Sequence, residues 1–385
     1  MERKNVFFRG LNELRATAAF SVVFHHVESY KHREGHFSLY DTPLRGFIEN
    51  LGYNAVWLFF VLSGFLITYL LLVEQNETGT IRVVDFYLRR ALRIWPLYFL
   101  IVVLAFFVLP LLPGIVPGLA DDPHVTACLA SLSTDFGKGL LLFALFLPNL
   151  ALVLFGPVAG ATQAWSIGSE EQFYLVWPLI VRLFRRVLPR TMLILIFLKI
   201  LLLIVVMLFS EMYDIQWLAV LGKFLLTLRL ELMAIGALAA YALVNFEQET
   251  KSIAGNRWLQ ISACGMMMAL LNWNNGASYL VLGIVFAFII VSVTVENGIP
   301  CSSKILDRLG RISYGIYMYH PLIIILVFSM CRSLQITNQV AYNLAIYFGV
   351  FSTTTLVSFL SYRFFEQFFL RQKTRFAAVL GTDRN

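Results

Sequence analysis

The stretch LGYNAVWLFFVLSGFLITYLLLV, residues 51–73, decides the fold class of this chain. It contains no Asp, Glu, Lys or Arg, and it is longer than the roughly 20 residues that an α-helix needs to cross a bilayer. Its apolar residues form one continuous run, whereas the strands of a membrane β-barrel alternate apolar and polar residues. The stretch therefore predicts a transmembrane α-helix.

The rest of the chain has the same apolar character. Of its 385 residues, 59% are hydrophobic and 14% are charged, whereas a soluble domain usually has about 25% charged residues. This composition excludes a soluble globular enzyme, a disordered chain and a collagen-like fibre. We expect an all-α polytopic membrane protein, surrounded by membrane lipid, whose residues 1–385 form a single domain.

Two classes of partner are not expected from the composition. The four cysteines lie far apart and lack the spacing of metal ligands, so we expect no metal site. The net charge is +7, but no soluble segment is long enough to form a basic domain that binds nucleic acid.

Ten segments are predicted to span the membrane: 13–30, 51–73, 94–113, 164–184, 191–210, 217–244, 258–275, 279–297, 312–331 and 340–366. The sixth carries Lys223, Arg229 and Glu231 and is expected to be tilted or broken. Residues 139–158 are also apolar, but Pro148 and Pro157 interrupt a helix. We expect this segment to be re-entrant, beside a cavity that covers its backbone.

The distribution of basic residues predicts the orientation. With ten spans and a cytoplasmic N-terminus, 20 Lys and Arg residues fall in inner segments and five in outer segments. Cytoplasmic loops of membrane proteins carry such an excess. A crossing by residues 139–158 would move Arg182–Arg190 and the basic C-terminus outside, so we expect both termini to be cytoplasmic.

The first span carries Arg15 and His26, eleven residues apart in LRATAAFSVVFHHVES. Eleven helical steps complete about three turns, so both side chains share one helix face, about 16 Å apart along the axis. A neutral histidine suits general-base work on a hydroxyl group. The alternative is that His26 only makes a hydrogen bond within the bundle. His25 points about a quarter-turn away.

The third span opens with FYLRRALRIWPLYFL, residues 86–100. Arg90 and Arg93 are three residues apart, and Arg89 and Arg93 are four apart, so both pairs are neighbours on a helix. Two guanidinium groups can bind a phosphate group bidentately. The alternative is a positive-inside anchor.

A further motif, QAWSIGSEEQFYLVWPL, places Glu170 and Glu171 at the entrance of an apolar span. A carboxylate there can orient a histidine or bind a sugar hydroxyl group. The alternative is a helix N-cap formed by Ser166 or Ser169 before the two glutamates. His320, in ISYGIYMYHPLII, is interpreted as structural.

The order of these motifs resembles the acyltransferase-3 membrane family from about residue 9 to residue 370. The motifs that carry the resemblance are Arg-x10-His, FFVLSGFLI, FYLRRALRIWPLY, WSIGSEEQFYLVWP, ISYGIYMYHP and SYRFFEQ. The resemblance implies transfer of acyl groups, commonly acetyl from coenzyme A, onto hydroxyl groups of sugars, lipids or macrolides. It assigns the essential histidine to His26, its partner arginine to Arg15, the Arg-x-x-Arg pair to Arg90 and Arg93, and the glutamate to Glu170.

We therefore interpret the chain as an O-acetyltransferase of a bacterial inner membrane that uses acetyl-CoA as co-substrate. Its acceptor would be a glycan or glycolipid, for example a polysaccharide or lipopolysaccharide. Some relatives carry a hydrolase-like domain after the membrane part, which we do not expect here. The rival interpretation is a transporter or flippase of a lipid-linked sugar, because intramembrane charges and a re-entrant segment fit it too.

Overall fold

The computed structural model describes residue 8, residues 10–272 and residues 278–376. This part of the chain is helical, without strands, and contains sixteen α-helices. They are α1 (Leu11–Arg33), α2 (Arg45–Thr78), α3 (Val83–Val103), α4 (Pro123–Ala144), α5 (Pro148–Phe155), α6 (Ala164–Phe184), α7 (Leu188–Tyr213), α8 (Gln216–Thr227), α9 (Leu230–Asn245), α10 (Glu247–Ala254), α11 (Arg257–Leu271), α12 (Ser278–Thr294), α13 (Lys304–Arg311), α14 (Ser313–Ser333), α15 (Gln339–Ser361) and α16 (Gln367–Lys373). A π-helical turn and a 3₁₀ helix extend α3 to Gly114, and a second π-helical turn, Tyr362–Glu366, joins α15 to α16.

The helices follow the predicted spans closely. The span predicted at 164–184 has the bounds of α6. The span 94–113 covers the end of α3 and its π-helical and 3₁₀ extensions, and the span 279–297 runs three residues past the end of α12. The predicted span 258–275 extends beyond α11 into residues 273–275, which lie outside the described residues. Several basic residues behind the orientation argument, Arg3, Lys4, Arg9 and Arg384, also lie outside them.

The long sixth span is broken, as expected. Its helix stops at Thr227 and restarts at Leu230 as α9. Beyond the break, the Glu231 carboxylate forms a buried ion pair with Nζ of Lys199 on α7, at 2.9 Å. Pairing reduces the cost of these charges among apolar helices.

Six helical segments of the described chain are long and apolar enough to cross a membrane: Arg45–Thr78, Val83–Gly114, Pro123–Ala144, Ala164–Tyr213, Ser313–Ser333 and Gln339–Phe376. The segment Ala164–Tyr213 contains two of the predicted spans. Helix α1 is not among the six, and it carries charged residues near both ends. The chain is thus a helical membrane protein, and the count of ten spans stays a prediction.

Helices α2 and α9 cross closely at the centre of the bundle. A methyl group added to Gly64 would overlap the backbone carbonyl of Met233, and one added to Gly236 would overlap the carbonyl of Val61. Small residues allow helix backbones in membranes to approach this closely. The motif FFVLSGFLI therefore contributes a packing glycine as well as the neighbouring Ser63.

Helices α4 and α5 form a hairpin. Phe146, with a φ of 57°, lies between the two helices where the chain reverses. The Ser131 hydroxyl on α4 then donates a hydrogen bond to the carbonyl of Phe155 at the end of α5, at 3.1 Å. The hairpin covers residues 139–158, and their re-entrant path through a membrane stays a prediction.

A group of charges, which we name the α1 C-terminal cluster, joins the ends of α1, α4 and α14. It comprises Glu28, Lys31, Glu34, Asp122 and Arg332. Lys31 donates to Glu28 at 2.8 Å, and Arg332 contacts Glu34 at 2.6 Å and Asp122 at 3.4 Å. The C-terminal ends of α1 and α14 therefore lie close together.

Candidate functional site

A cavity of about 110 Å³ lies between α1, α2, α3, α6 and α14. Four of the six predicted site residues line it: Arg15, Arg90, Arg93 and Glu170. We name it the arginine cavity. Its lining carries three guanidinium groups and one carboxylate, so positive charge is in excess, and its remaining lining is apolar or consists of Ser and Tyr side chains.

The periodicity of α3 places Arg90 and Arg93 on the cavity. Helix α3 begins at Val83, so the two arginines lie in its third turn and face the same side. The Arg90 guanidinium packs over the ring of Phe86 at 5.7 Å. Its Nε is buried and makes no hydrogen bond to any residue that the structure describes. A buried donor without a partner is costly, and it suits a site that receives an anion.

Glu170 lies inside α6 and not at its start. The helix begins at Ala164, and Ser166 and Ser169 do not cap it. The Ser166 hydroxyl pairs instead with the Tyr317 hydroxyl at 2.8 Å, and Ser169 donates to the carbonyl of Thr227. The N-cap interpretation of these serines is therefore wrong, because the helix extends further toward the N-terminus.

The two glutamates of this motif have different surroundings. Glu170 accepts a hydrogen bond from the hydroxyl of Tyr174, and both residues line the arginine cavity. Glu171 accepts a hydrogen bond from Nε1 of Trp95 at 3.1 Å. Of the two glutamates, Glu170 is therefore the one that lines the arginine cavity, and its partner Tyr174 lies one turn further along α6.

Arg89 is not in the cavity. It forms a buried ion pair with Glu74 on α2 at 2.8 Å, and it donates to the carbonyl of Phe376 at 2.7 Å. Because Arg89 is one residue before Arg90, it lies about 100° around the helix and faces α2 and the C-terminal segment. The structure thus separates Arg89 from the arginines with which the sequence grouped it.

His26 also lies outside the lining of the arginine cavity. It is eleven residues beyond Arg15 on the same helix, about 16 Å along the axis. Its side chain is exposed, whereas the adjacent Val27 is buried. Glu170 lies with the arginines, so the expectation that it orients His26 finds no contact in the structure.

His25 has a different environment from His26. Its Nδ1 lies 3.1 Å from the carbonyl oxygen of Ile48 and 2.9 Å from the hydroxyl of Tyr40. A methyl group at Gly52 of α2 would overlap its ring. His25 is thus packed between α1 and α2, in agreement with its predicted direction.

Sequence reasoning missed the position of His320. This residue is fully buried, and the centroid of its ring lies 5.1 Å from that of His26, with a tilt of 24° between the ring planes. Tyr317, one turn earlier on α14, lines the arginine cavity. The sequence signal was a histidine one turn beyond Tyr317 in ISYGIYMYHP, but nothing local pointed to α1 as its neighbour.

Comparison with known proteins identifies the chain's relatives. The family described as "Acyltransferase domain" matches residues 8–363. O-acetyltransferase OatA of Staphylococcus aureus strain NCTC 8325 / PS 47 is 25% identical over 384 residues, which cover 94% of this chain and 57% of that protein. A second protein of S. aureus strain COL, whose name proposes the same activity, is 26% identical over 386 residues, covering 96% and 58%.

The chain therefore spans somewhat more than half the length of these curated relatives. No solved structure matches it.

Proposed function

We propose that this chain, which belongs to the acyltransferase-3 family, is an integral-membrane O-acyltransferase. In this proposal it transfers acetyl from acetyl-CoA to a hydroxyl group. The acceptor we propose is a glycan or glycolipid of the cell surface. The names of the relatives support an acetyl group and an oxygen acceptor.

The three guanidinium groups that line the arginine cavity carry this proposal. Arg15, Arg90 and Arg93 face one carboxylate, Glu170, inside a bundle of apolar helices. Ionisable groups at such a position are costly and mark a functional site, and the buried Nε of Arg90 makes no hydrogen bond to any described residue. Coenzyme A is rich in phosphate, and guanidinium groups bind phosphate with paired hydrogen bonds. We assign the three arginines to binding of the donor.

The acetyl transfer itself requires a base near the acceptor hydroxyl group. We assign this role to His26, whose exposed side chain contrasts with the half-buried His25 and the buried Val27 beside it on α1. The hydroxyl proton passes to His26 while the acceptor oxygen bonds to the acyl carbon. The carbon–sulfur bond then breaks, and the proton passes from His26 to the sulfur of coenzyme A. An acyl-histidine intermediate is the less favoured route.

Glu170 belongs to the donor side in this scheme. Its carboxylate lies among the cavity arginines and accepts a hydrogen bond from Tyr174, so it can hold their side chains in place. The distance of about 16 Å along α1 between Arg15 and His26 separates donor phosphates from acyl chemistry. A long donor with a flexible arm suits such a separation.

The orientation that we propose places both termini in the cytoplasm of a bacterial cell, with the protein in the inner membrane. Single cysteines near Arg186 and Arg375, in a cysteine-free background, should then be protected from an impermeant maleimide in intact cells. Labelling of both positions in intact cells would contradict this orientation.

The function is tested with purified, reconstituted protein, labelled acetyl-CoA and the total surface glycan of the source bacterium. We expect cleavage of the thioester together with a mass gain of one acetyl group on the glycan. A transporter of lipid-linked sugar would move its cargo without cleaving acetyl-CoA. Absence of both cleavage and acetylated product would refute the proposed function.

A further inference from the structure

The hydrogen-bond partner of one ring nitrogen of the buried His320 determines where the proton of this ring lies. Its Nδ1 lies 2.7 Å from the carbonyl oxygen of Tyr317, which only accepts hydrogen bonds, so Nδ1 carries the proton. In a neutral imidazole the other nitrogen, Nε2, then carries a lone pair. The side chain is fully buried, among apolar groups that disfavour a second proton.

The other nitrogen of His320, Nε2, can accept a hydrogen bond. It is buried, and it makes no hydrogen bond to any residue within the described ranges. Buried polar atoms in native proteins are almost always hydrogen-bonded, so an exception calls for a functional reason. The neighbouring ring is that of His26, with a centroid separation of 5.1 Å and nearly parallel planes.

We propose that His320 is a positioning residue for His26 and that its Nε2 accepts a hydrogen bond from the His26 ring when His26 takes the acceptor proton. This inference rests on the proposed function, in which His26 is the base. The torsion that turns a histidine ring has a broad energy profile, so rotation of the His26 ring can bring one of its N–H groups toward Nε2.

The need for this acceptor follows from the number of N–H groups on the His26 ring. A neutral His26 has one N–H group, whereas the imidazolium formed during transfer has two. One of them faces the acceptor oxygen that released the proton and later delivers that proton to sulfur. The second requires an acceptor, which in the Ser-His-Asp triad is a carboxylate. His320 offers a neutral acceptor for it, from a ring that the Tyr317 carbonyl holds in place.

This arrangement also connects the two parts of the site. Tyr317 lines the arginine cavity, and its carbonyl group fixes His320 one helical turn further along α14. His320 in turn lies beside His26. Helix α14 thereby links the wall of the donor cavity to the proposed base.

Three substitutions of His320 separate positioning from packing. His320→Phe keeps a planar ring without nitrogens. His320→Asn provides an amide near the position of Nδ1, whereas His320→Gln extends one bond further and can place its oxygen near Nε2. The readouts are kcat and the KM for acetyl-CoA of full-length reconstituted protein, with the total surface glycan of the source bacterium as acceptor.

We expect His320→Phe and His320→Asn to lower kcat by about 10- to 100-fold, by analogy with the loss when the hydrogen-bond partner of a metal-binding histidine is removed. The KM for acetyl-CoA should stay unchanged, and His320→Gln should recover a large part of kcat. Equal kcat in all three variants and the wild type would overturn the inference. The inference would also be overturned if all three variants gave less folded protein but the folded fraction kept the wild-type kcat.

The wild-type control separates this inference from the proposed function. If wild-type protein acetylates the glycan and His26→Ala does not, but His320→Asn equals the wild type, only the positioning role fails. If the wild type neither cleaves acetyl-CoA nor acetylates glycan, the proposed function fails, and the role of His320 fails with it.

Discussion

The α1 C-terminal cluster and the arginine cavity both gather charged side chains, but they pair them differently. In the cluster, Lys31 meets Glu28, and Arg332 meets Glu34 and Asp122, each within 3.4 Å or less. Three guanidinium groups and the Glu170 carboxylate line the cavity, and the buried Nε of Arg90 has no partner among the described residues. Pairing of the charges indicates a structural role for the cluster, whereas the unpartnered buried Nε of Arg90 indicates a place for a ligand.

The two adjacent histidines of α1, His25 and His26, show the same contrast. His25 has polar partners in Ile48 and Tyr40 and a ring packed against Gly52. His26 presents an exposed ring beside the unpartnered Nε2 of His320. Adjacent residues of the same type can therefore be assigned to packing and to chemistry from their surroundings.

The largest effect is expected from His26. His26→Ala should lower the kcat of acetyl transfer by about 10²- to 10⁴-fold, the usual loss when a positioned base is removed. His25→Ala should retain much of the activity, because that side chain packs between α1 and α2. Turnover of both purified variants with acetyl-CoA and glycan checks the pair. The reverse ranking of the two variants would refute the assignment of the base.

The next largest effect concerns stability and not activity. Lys31→Met leaves the buried Glu28 carboxylate without its cationic partner, although Ser38 still donates to it at 2.8 Å. We expect a loss of about 3–5 kcal/mol in the free energy of unfolding, as for other broken buried pairs. Activity per folded molecule should be unchanged.

The control for this prediction is Lys138→Met. Lys138 pairs with Asp135 at 3.0 Å, but its side chain is 75% exposed. An exposed pair contributes about 0–1 kcal/mol, so this variant should unfold almost as the wild type does. Equal losses in the two variants, measured by denaturant titration in detergent, would remove the distinction between the paired cluster and ordinary surface charges.

The smallest effect is expected at Asp41, at the end of the short 3₁₀ helix Leu39–Asp41 that follows α1. A hydrogen bond from the backbone N–H of Ser38 lowers the pKa of the Asp41 carboxyl group, and His32 adds to this effect at 2.7 Å. A lowered pKa stabilises the fold at pH values above the unfolded pKa of about 3.9. This contribution is lost as the pH falls through the folded pKa.

Asp41→Asn should therefore lower the Tm slightly at pH 6, and the difference from the wild type should shrink toward pH 3. Thermal melts of both proteins at the two pH values test this. A difference that grows as the pH falls would contradict the assigned sign.

Local sequence patterns predicted those structural features that depend on the residues of a single helix. The bounds of α6 follow from the length of its apolar run, and the shared face of Arg90 and Arg93 follows from helical periodicity. The cost of charge in an apolar span predicted a tilt or a break within 217–244, although not its position after Thr227. Each of these features involves residues that are close in sequence.

Contacts between distant residues were not predictable in this way. Arg89 meets the carbonyl of Phe376, 287 positions away, and His320 meets His26 across the bundle. The relative rotation of packed helices decides such contacts, and it depends on close approaches such as Gly64 against Met233. The sequence alone therefore grouped Arg89 with the cavity arginines and interpreted His320 as structural.

The central claim is that the arginine cavity binds the acyl donor, and the binding of acetyl-CoA to purified variants tests it most directly. By titration calorimetry in detergent, Arg90→Ala and Arg93→Ala should each weaken binding by about 2–3 kcal/mol, roughly 30- to 160-fold in Kd. Arg89→Ala should lower stability, because Glu74 loses its partner, while the folded protein keeps nearly the wild-type Kd. Wild-type affinity in both the Arg90 and Arg93 variants would contradict the claim.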